Sequence, residues 1–290
     1  MSNNIKIPSP WAQLGLFLRL IGFALIGLVA LALLFGQLPQ PLSSNNLKLA
    51  QVANSILLFG VPAYFYARLT FPDRPFFYLG FRPAVKGNFY LLAILLLLFS
   101  FPLEGWLGIL NKHIPLPHWM VQTEESIDHQ LTTLLQVKNP FDVVINLLVI
   151  AVIPGIFEEM CFRGVVQRIM IRLTKSPWAG IVVTGFIFSF MHFEFQGFLP
   201  RMFLGVLLGA AYHYSGSLWT CVLAHCFFNG IQVLAFTWYP TVMNNDNPSV
   251  PAYSVLISSI IVVILLVVMR RQSNQSPSSD VSSPSDVNIY

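Results

Sequence analysis

Two adjacent acids, Glu158 and Glu159, close the apolar run Phe141 to Phe157, with Arg163 one helical turn beyond them. A carboxylate held in hydrocarbon costs roughly 2.5–3.5 kcal/mol even on the lenient insertion scale, so ionisable groups in such a run point to function before stability. On a helix Glu159 and Arg163 are i and i+4 and share a face, whereas Glu158 is rotated by about 100° and points elsewhere. The two acids can therefore divide the work: Glu159 pairs with Arg163, and Glu158 faces a polar cavity as a candidate base. The plainer reading is a structural ion pair with a second, snorkelling acid, and these residues alone leave both readings open.

His192 closes the run Phe188-Ser189-Phe190-Met191-His192, and His225 and Asn229 stand i, i+4 on a later apolar stretch. A lone histidine on an apolar helix is most often a hydrogen-bonded core residue. Three polar groups beside a paired acid change that weighting. If the helices on either side of Lys175 form a hairpin, Glu158 lies 17 residues before the turn and His192 lies 17 after it, so both reach one depth. An acid and an imidazole at hydrogen-bonding distance can hold and deprotonate a water, while a second imidazole and a carboxamide supply N–H donors to an oxyanion. That is peptide-bond hydrolysis by general base catalysis.

The elements that must position these residues are membrane helices. Hydrophobic residues make up 55% of the 290-residue chain and charged ones 10%, where a soluble domain carries about 25% charged residues. Apolar windows near the 20 residues a span needs fall at 13–36, 50–71, 88–110, 141–162, 178–193, 199–214, 217–238 and 253–270, the fifth and sixth being short. The expected fold class is all-α, a polytopic membrane bundle of about eight transmembrane helices around an intramembrane polar cavity. The first window is too long for a removable signal peptide, lacks a small-residue cleavage site, and is expected to stay as an anchor. Residues 1–140 read as N-terminal helices with a polar connection, 141–271 as the catalytic core, and 272–290 as a Ser-rich tail too polar to order itself. The polar connection, Asn111 to Pro140, has room for a short interfacial helix, and no repeat at a fixed period is visible.

The net charge of +4 comes from basic residues at the ends of apolar windows. Arg68, Arg74, Arg82 and Lys86, then Arg168, Arg172 and Lys175, then Arg270 and Arg271 are expected on the cytoplasmic side, with both termini inside. A multi-pass protein of a bacterial-type plasma membrane is the expectation. No basic patch interleaved with exposed aromatics calls for nucleic acid. Cys161, Cys221 and Cys226 lie in apolar runs and read as small buried hydrophobes rather than a disulfide framework. Gly205-x-x-x-Gly209 reads as a close helix contact, Gly164 as a packing glycine, and the six tryptophans as an aromatic belt.

In that order, and each on an apolar stretch, Glu158-Glu159-x-x-x-Arg163, Phe188-x-x-x-His192 and His225-x-x-x-Asn229 resemble the motifs of the CAAX protease and bacteriocin-processing family. These are membrane glutamate proteases that include the type II CAAX prenyl endopeptidase. The resemblance covers about residues 145–232. It implies that Glu158 with His192 activates the hydrolytic water, that His225 and Asn229 stabilise the oxyanion, and that Glu159 and Arg163 support the site. It also implies an eight-helix bundle whose cavity opens toward the cytosol and the membrane. The expected function is a metal-independent intramembrane endopeptidase with no cofactor, partnered by the bilayer and a membrane-associated peptide or protein substrate, lipid-modified in one branch of the family.

Three other readings compete. A zinc-dependent membrane protease would use one glutamate and two histidines as ligands, although His-Glu-x-x-His is absent. A non-catalytic scaffold or bacteriocin-immunity protein would use the same fold to bind a partner helix. A proton-coupled transporter would use the acids and histidines as a relay. A serine intramembrane protease lacks its motif, the nearest stretch being His213-Tyr214-Ser215-Gly216, and no pair of membrane aspartates suits an aspartyl protease.

Overall fold

A computed structural model describes residues 6–239 and 249–274, and all regular structure among them is helical. In chain order the helices are α1 (Pro10–Gly36), α2 (Ser44–Thr70), α3 (Pro75–Leu79), α4 (Asn88–Lys112), α5 (His118–Leu134), α6 (Pro140–Thr174), α7 (Pro177–Phe190), α8 (Phe198–Ser215), α9 (Leu218–Trp238) and α10 (Ala252–Asn274). Several starts are written locally. Ser9, Ser43 and Ser176 each accept a backbone N–H three residues on, Asn139 and Asp142 form a capping box, and Pro10, Pro140 and Pro177 take the first helical position.

The chain is a multi-pass membrane protein. Six helices, α1, α2, α4, α6, α9 and α10, are long and apolar enough to cross a membrane. The two short windows fall on α7, of 14 residues, and α8, of 18. At 1.5 Å per residue these run about 21 and 27 Å, short of the roughly 30 Å hydrocarbon core. They form a hairpin with α6 and with each other: α6 turns into α7 at Lys175, which takes φ +54°, as the expected turn requires. The most apolar stretch of α1 is only 11% buried and that of α10 only 17%, against 50% for α9. The first two therefore turn most of their apolar surface to lipid, and α9 runs through the core.

The basic clusters gather at one end of the bundle. There the Lys6 N–H bonds Thr70 O at 3.0 Å, Arg172 bonds Pro8 O at 2.5 Å, Arg82 bonds Gly216 O at 2.8 Å, and Asn88 bonds Gln272 at 2.7 Å. Arg168 reaches Tyr78 O at the same end, its guanidinium 4.7 Å over the Tyr78 ring. Helix α10 continues to Asn274, three residues into the segment expected to be a polar tail, and residues 275–290 lie outside the described residues. The polar connection holds a full helix, α5, of 17 residues.

Candidate active site

Helix α6 departs from regular α geometry twice. Wide, π-type turns at Leu147–Val152 and Phe162–Val166 bracket the regular segment Ile153–Cys161 that carries the acid pair. Such turns are frequent at functional sites. Pro154 has no N–H, so the Ile150 carbonyl four residues back loses its ordinary helical donor. Asn229 of α9 supplies one, its Nδ2 donating to Ile150 O at 3.2 Å. Glu158 stands about midway along α6, 18 residues from Pro140 and 17 from Lys175, or about 27 and 25 Å of helix.

Around Glu158 three helices converge. Its Oε2 lies 3.9 Å from His192 Nε2 and 4.0 Å from His225 Nε2. The Glu158 side chain is 9% exposed, His225 3% and His192 25%, so the site is accessible along its His192 edge. Glu159 faces away from that edge and is wholly buried. One of its oxygens, Oε1, accepts from Arg163 at 2.7 Å and from His225 Nδ1 at 2.8 Å.

These bonds fix what each imidazole offers. A carboxylate oxygen already bound to a guanidinium is an acceptor, so His225 carries its proton on Nδ1. His192 is set the same way, with Nδ1 at 2.8 Å from the Phe188 carbonyl. Each ring turns its Nε2 toward Glu158, as an acceptor in this tautomer when the ring is neutral. With that tautomer, His225 would offer an N–H to an oxyanion, its expected role, once Nε2 gains a proton. Asn229, the other expected donor, spends one of its two amide N–H groups on Ile150 O.

The spacing Phe188-x-x-x-His192 has a structural reason beyond that carbonyl. The Phe188 ring meets His192 edge-on at 4.9 Å and His225 at 6.1 Å, and the Arg163 guanidinium sits over it at 4.8 Å. Arg163 also donates to Gly205 O at 3.0 Å, and Gln167, one turn on, donates to Gly209 O at 3.0 Å. Two side chains of α6 thus read two carbonyls of α8 in step. That needs close helices, as the glycine pair leads one to expect: a Cβ on Gly205 would stand 2.9 Å from Gly185 Cα, and one on Gly209 2.7 Å from Gln167 Oε1. Gly164 packs as expected too, against Leu79 of α3. All three cysteines are free.

Sequence reasoning missed the residues that hold the His192 turn. Asn111, at the end of α4, donates to Phe195 O at 2.7 Å and accepts the Leu199 N–H at 2.7 Å. Glu124 of α5 accepts the Gln196 N–H at 2.7 Å. Burial holds the Glu124 carboxyl above the usual carboxylate range, and the Gln196 N–H offsets part of that rise. No local pattern marks either residue; only the fold brings them to the turn.

Among the described residues, no group of three His, Cys, Asp or Glu side chains stands in a metal-holding arrangement. A metalloendopeptidase-like description has no support from that arrangement. On another face of α6, Ile156, Phe157 and Met160 border an open cavity of 590 Å³ that α2, α3 and the start of α9 also line. Its walls are aromatic and aliphatic, among them Val61, Tyr64, Phe65, Phe76, Phe81 and Trp219.

Residues 140–231, about a third of the chain, match the family described as Type II CAAX prenyl endopeptidase Rce1-like. An "Uncharacterized 24.3 kDa protein" of Escherichia coli is 31% identical over 99 residues, which are 33% of this chain and 46% of that protein. The match thus spans less than half of that relative's length. No solved structure matches.

Proposed function

We propose, from the match of residues 140–231 to the Rce1-like CAAX-protease family, that the chain is an intramembrane endopeptidase whose base is Glu158. The observation that carries this is the meeting of one buried carboxylate oxygen with two imidazole Nε2 atoms, at 3.9 and 4.0 Å, inside a membrane bundle. A water between them donates one proton to Glu158 Oε2, and its oxygen bonds the scissile carbonyl carbon. The proton moves on to His225 Nε2. Glu159, already bound at Nδ1, stabilises the resulting imidazolium in the manner of a carboxylate–histidine pair. That imidazolium then donates to the departing amine as the C–N bond breaks. His192 orients the water, and the free N–H of Asn229 is the donor left for the oxyanion. No metal or other cofactor takes part.

The substrate in this reading is a membrane-associated peptide or protein. A lipid chain attached near its scissile bond is what the apolar cavity beside Phe157 suits, with 590 Å³ and no charged residue on its walls. The clustering of basic residues with residues 6–8 and 272 at one end supports a cytoplasmic location for both termini.

Glu158→Gln keeps the shape and removes the base. Peptide hydrolysis by the purified protein should fall about 10²–10⁴-fold, with thermal unfolding unchanged and chelators without effect on the wild type. A scaffold or immunity protein would keep its cellular function in this variant, and a transporter would hydrolyse nothing. Membrane-protein fragments present in cells with the wild type and missing with Glu158→Gln would identify the substrate.

A further inference from the structure

The α7–α8 hairpin turns through residues 191–197, non-helical backbone that starts beside Glu158, His192 Nε2 lying 3.9 Å from its Oε2. Backbone of that kind is tolerated in a membrane only where protein or water satisfies it. Within the hairpin the tip is held by turn bonds from the His192 and Phe193 N–H groups to Ser189 O and Phe190 O, and by Arg201, which donates to Glu194 O at 3.1 Å and pairs with the Glu194 carboxylate. Phe193 takes φ +56°, an unusual conformation for a bulky residue. Helix α8 starts after Gly197, which has no side chain with which to cap it.

Help comes from the N-terminal half of the chain. Asn111 accepts the N–H of Leu199, an unpaired donor of the first turn of α8, and so acts as a cap lent by α4. Its Nδ2 holds Phe195 O, and Glu124 of α5 holds the Gln196 N–H. Both side chains are buried, Asn111 to 2% exposure and Glu124 to 7%. The Trp119 ring of α5 meets Phe195 edge-on at 6.0 Å. Three grips, at residues 195, 196 and 199, therefore fall three to seven residues after His192, whose own Nδ1 is tied on the other side, to α7.

We propose that Asn111 and Glu124 are positioning residues for His192: through the 191–199 backbone they set the approach of its Nε2 to Glu158, which makes α4 and α5 working parts of the site. The inference rests on the peptidase reading for its kinetic consequence and on geometry alone for its structural one.

The test compares Asn111→Ala, Glu124→Ala and Glu124→Gln in the full chain in lipid nanodiscs, with Glu158→Gln as the reference for chemistry. The two alanine variants lower kcat about 10- to 100-fold, the cost of a misplaced catalytic group, with KM essentially unchanged. Glu124→Gln restores kcat to within about threefold, because a carboxamide oxygen accepts the same N–H. A purely structural role would instead lower the folded fraction and leave kcat per folded molecule intact. Independently of turnover, nitrogen-15 signals of the His192 ring, assigned by their loss in His192→Ala, shift in both alanine variants while those of His225 stay in place. If Glu158→Gln is inactive and the alanine variants keep wild-type kcat and His192 signals, the positioning role is wrong and the peptidase reading stands. If no variant affects hydrolysis, or none occurs, the peptidase reading is wrong and the His192 signals alone decide whether the clamp acts on that ring.

Discussion

On one face of α6, Glu159, Arg163 and Gln167 are tied to α9 and α8 by bonds of 2.8 to 3.0 Å; on the other, Ile156, Phe157 and Met160 border 590 Å³ of apolar space. The helix is rigidly specified where its polar atoms are buried and loosely filled where its surface is hydrocarbon. In a membrane the difference has a simple origin. A buried polar group has a high cost when unpaired and so forces its neighbours into place, whereas an apolar face gains little over lipid by packing tightly. Glu158 lies in the chain between Phe157 of the apolar face and Glu159 of the polar one, and in the proposed reading the base would be fixed by the second and the substrate held by the first.

The contrast is most exposed to Arg163→Met. Removing the guanidinium leaves Glu159 buried without its cation, and the expected loss is about 3–5 kcal/mol, read as unfolding in mixed micelles. A loss below about 1 kcal/mol, the range of surface ion pairs, would mean that the polar face does not hold the bundle. Next comes Gly205→Ala, whose Cβ would meet the Gly185 backbone at 2.9 Å. Because backbone cannot step aside, about 1–3 kcal/mol is expected from overpacking, together with a weakened Arg163 bond to Gly205 O.

Probing the apolar face should affect recognition more than stability. Val61→Phe fills part of the cavity and is expected to raise KM about tenfold, or about 1.4 kcal/mol, for a lipid-modified peptide while leaving an unmodified one unaffected. Equal effects on both peptides would remove the cavity from substrate binding. The smallest change is expected at the end of α6, where neither face is engaged. Lys175 holds φ +54°, and Lys175→Gly should stabilise by no more than about 1 kcal/mol; destabilisation would show that the Lys175 side chain has a task of its own.

Much of this was legible in the sequence because it is periodic or local. Apolar windows located the helices, the i, i+4 spacing announced the Glu159–Arg163 bond, and equal distances from Lys175 put Glu158 and His192 at one height. The roles of individual atoms were harder to read. That His225 gives Nδ1 to Glu159, or that Asn229 serves the carbonyl freed by Pro154, depends on which helix faces which across 66 and 79 residues of chain. The contribution of residues 1–140 was hidden for the same reason. Asn111 and Glu124 sit in a polar connection where such residues are ordinary, and their partners lie 88 and 72 residues away. The expected eight spans were also uneven in a way that hydropathy only hinted at, since shortness in α7 and α8 is what brings a loop beside Glu158.

The two wide turns in α6 have an evolutionary consequence. In an unbroken helix, one residue gained or lost near an end rotates everything beyond it by about 100°. Here each turn already houses a surplus residue, and deleting one from Leu147–Val152 would restore regular winding while swinging the acid pair out of alignment with its anchored end. Insertions and deletions should therefore be tolerated at the tips of this helix and selected against at its joints.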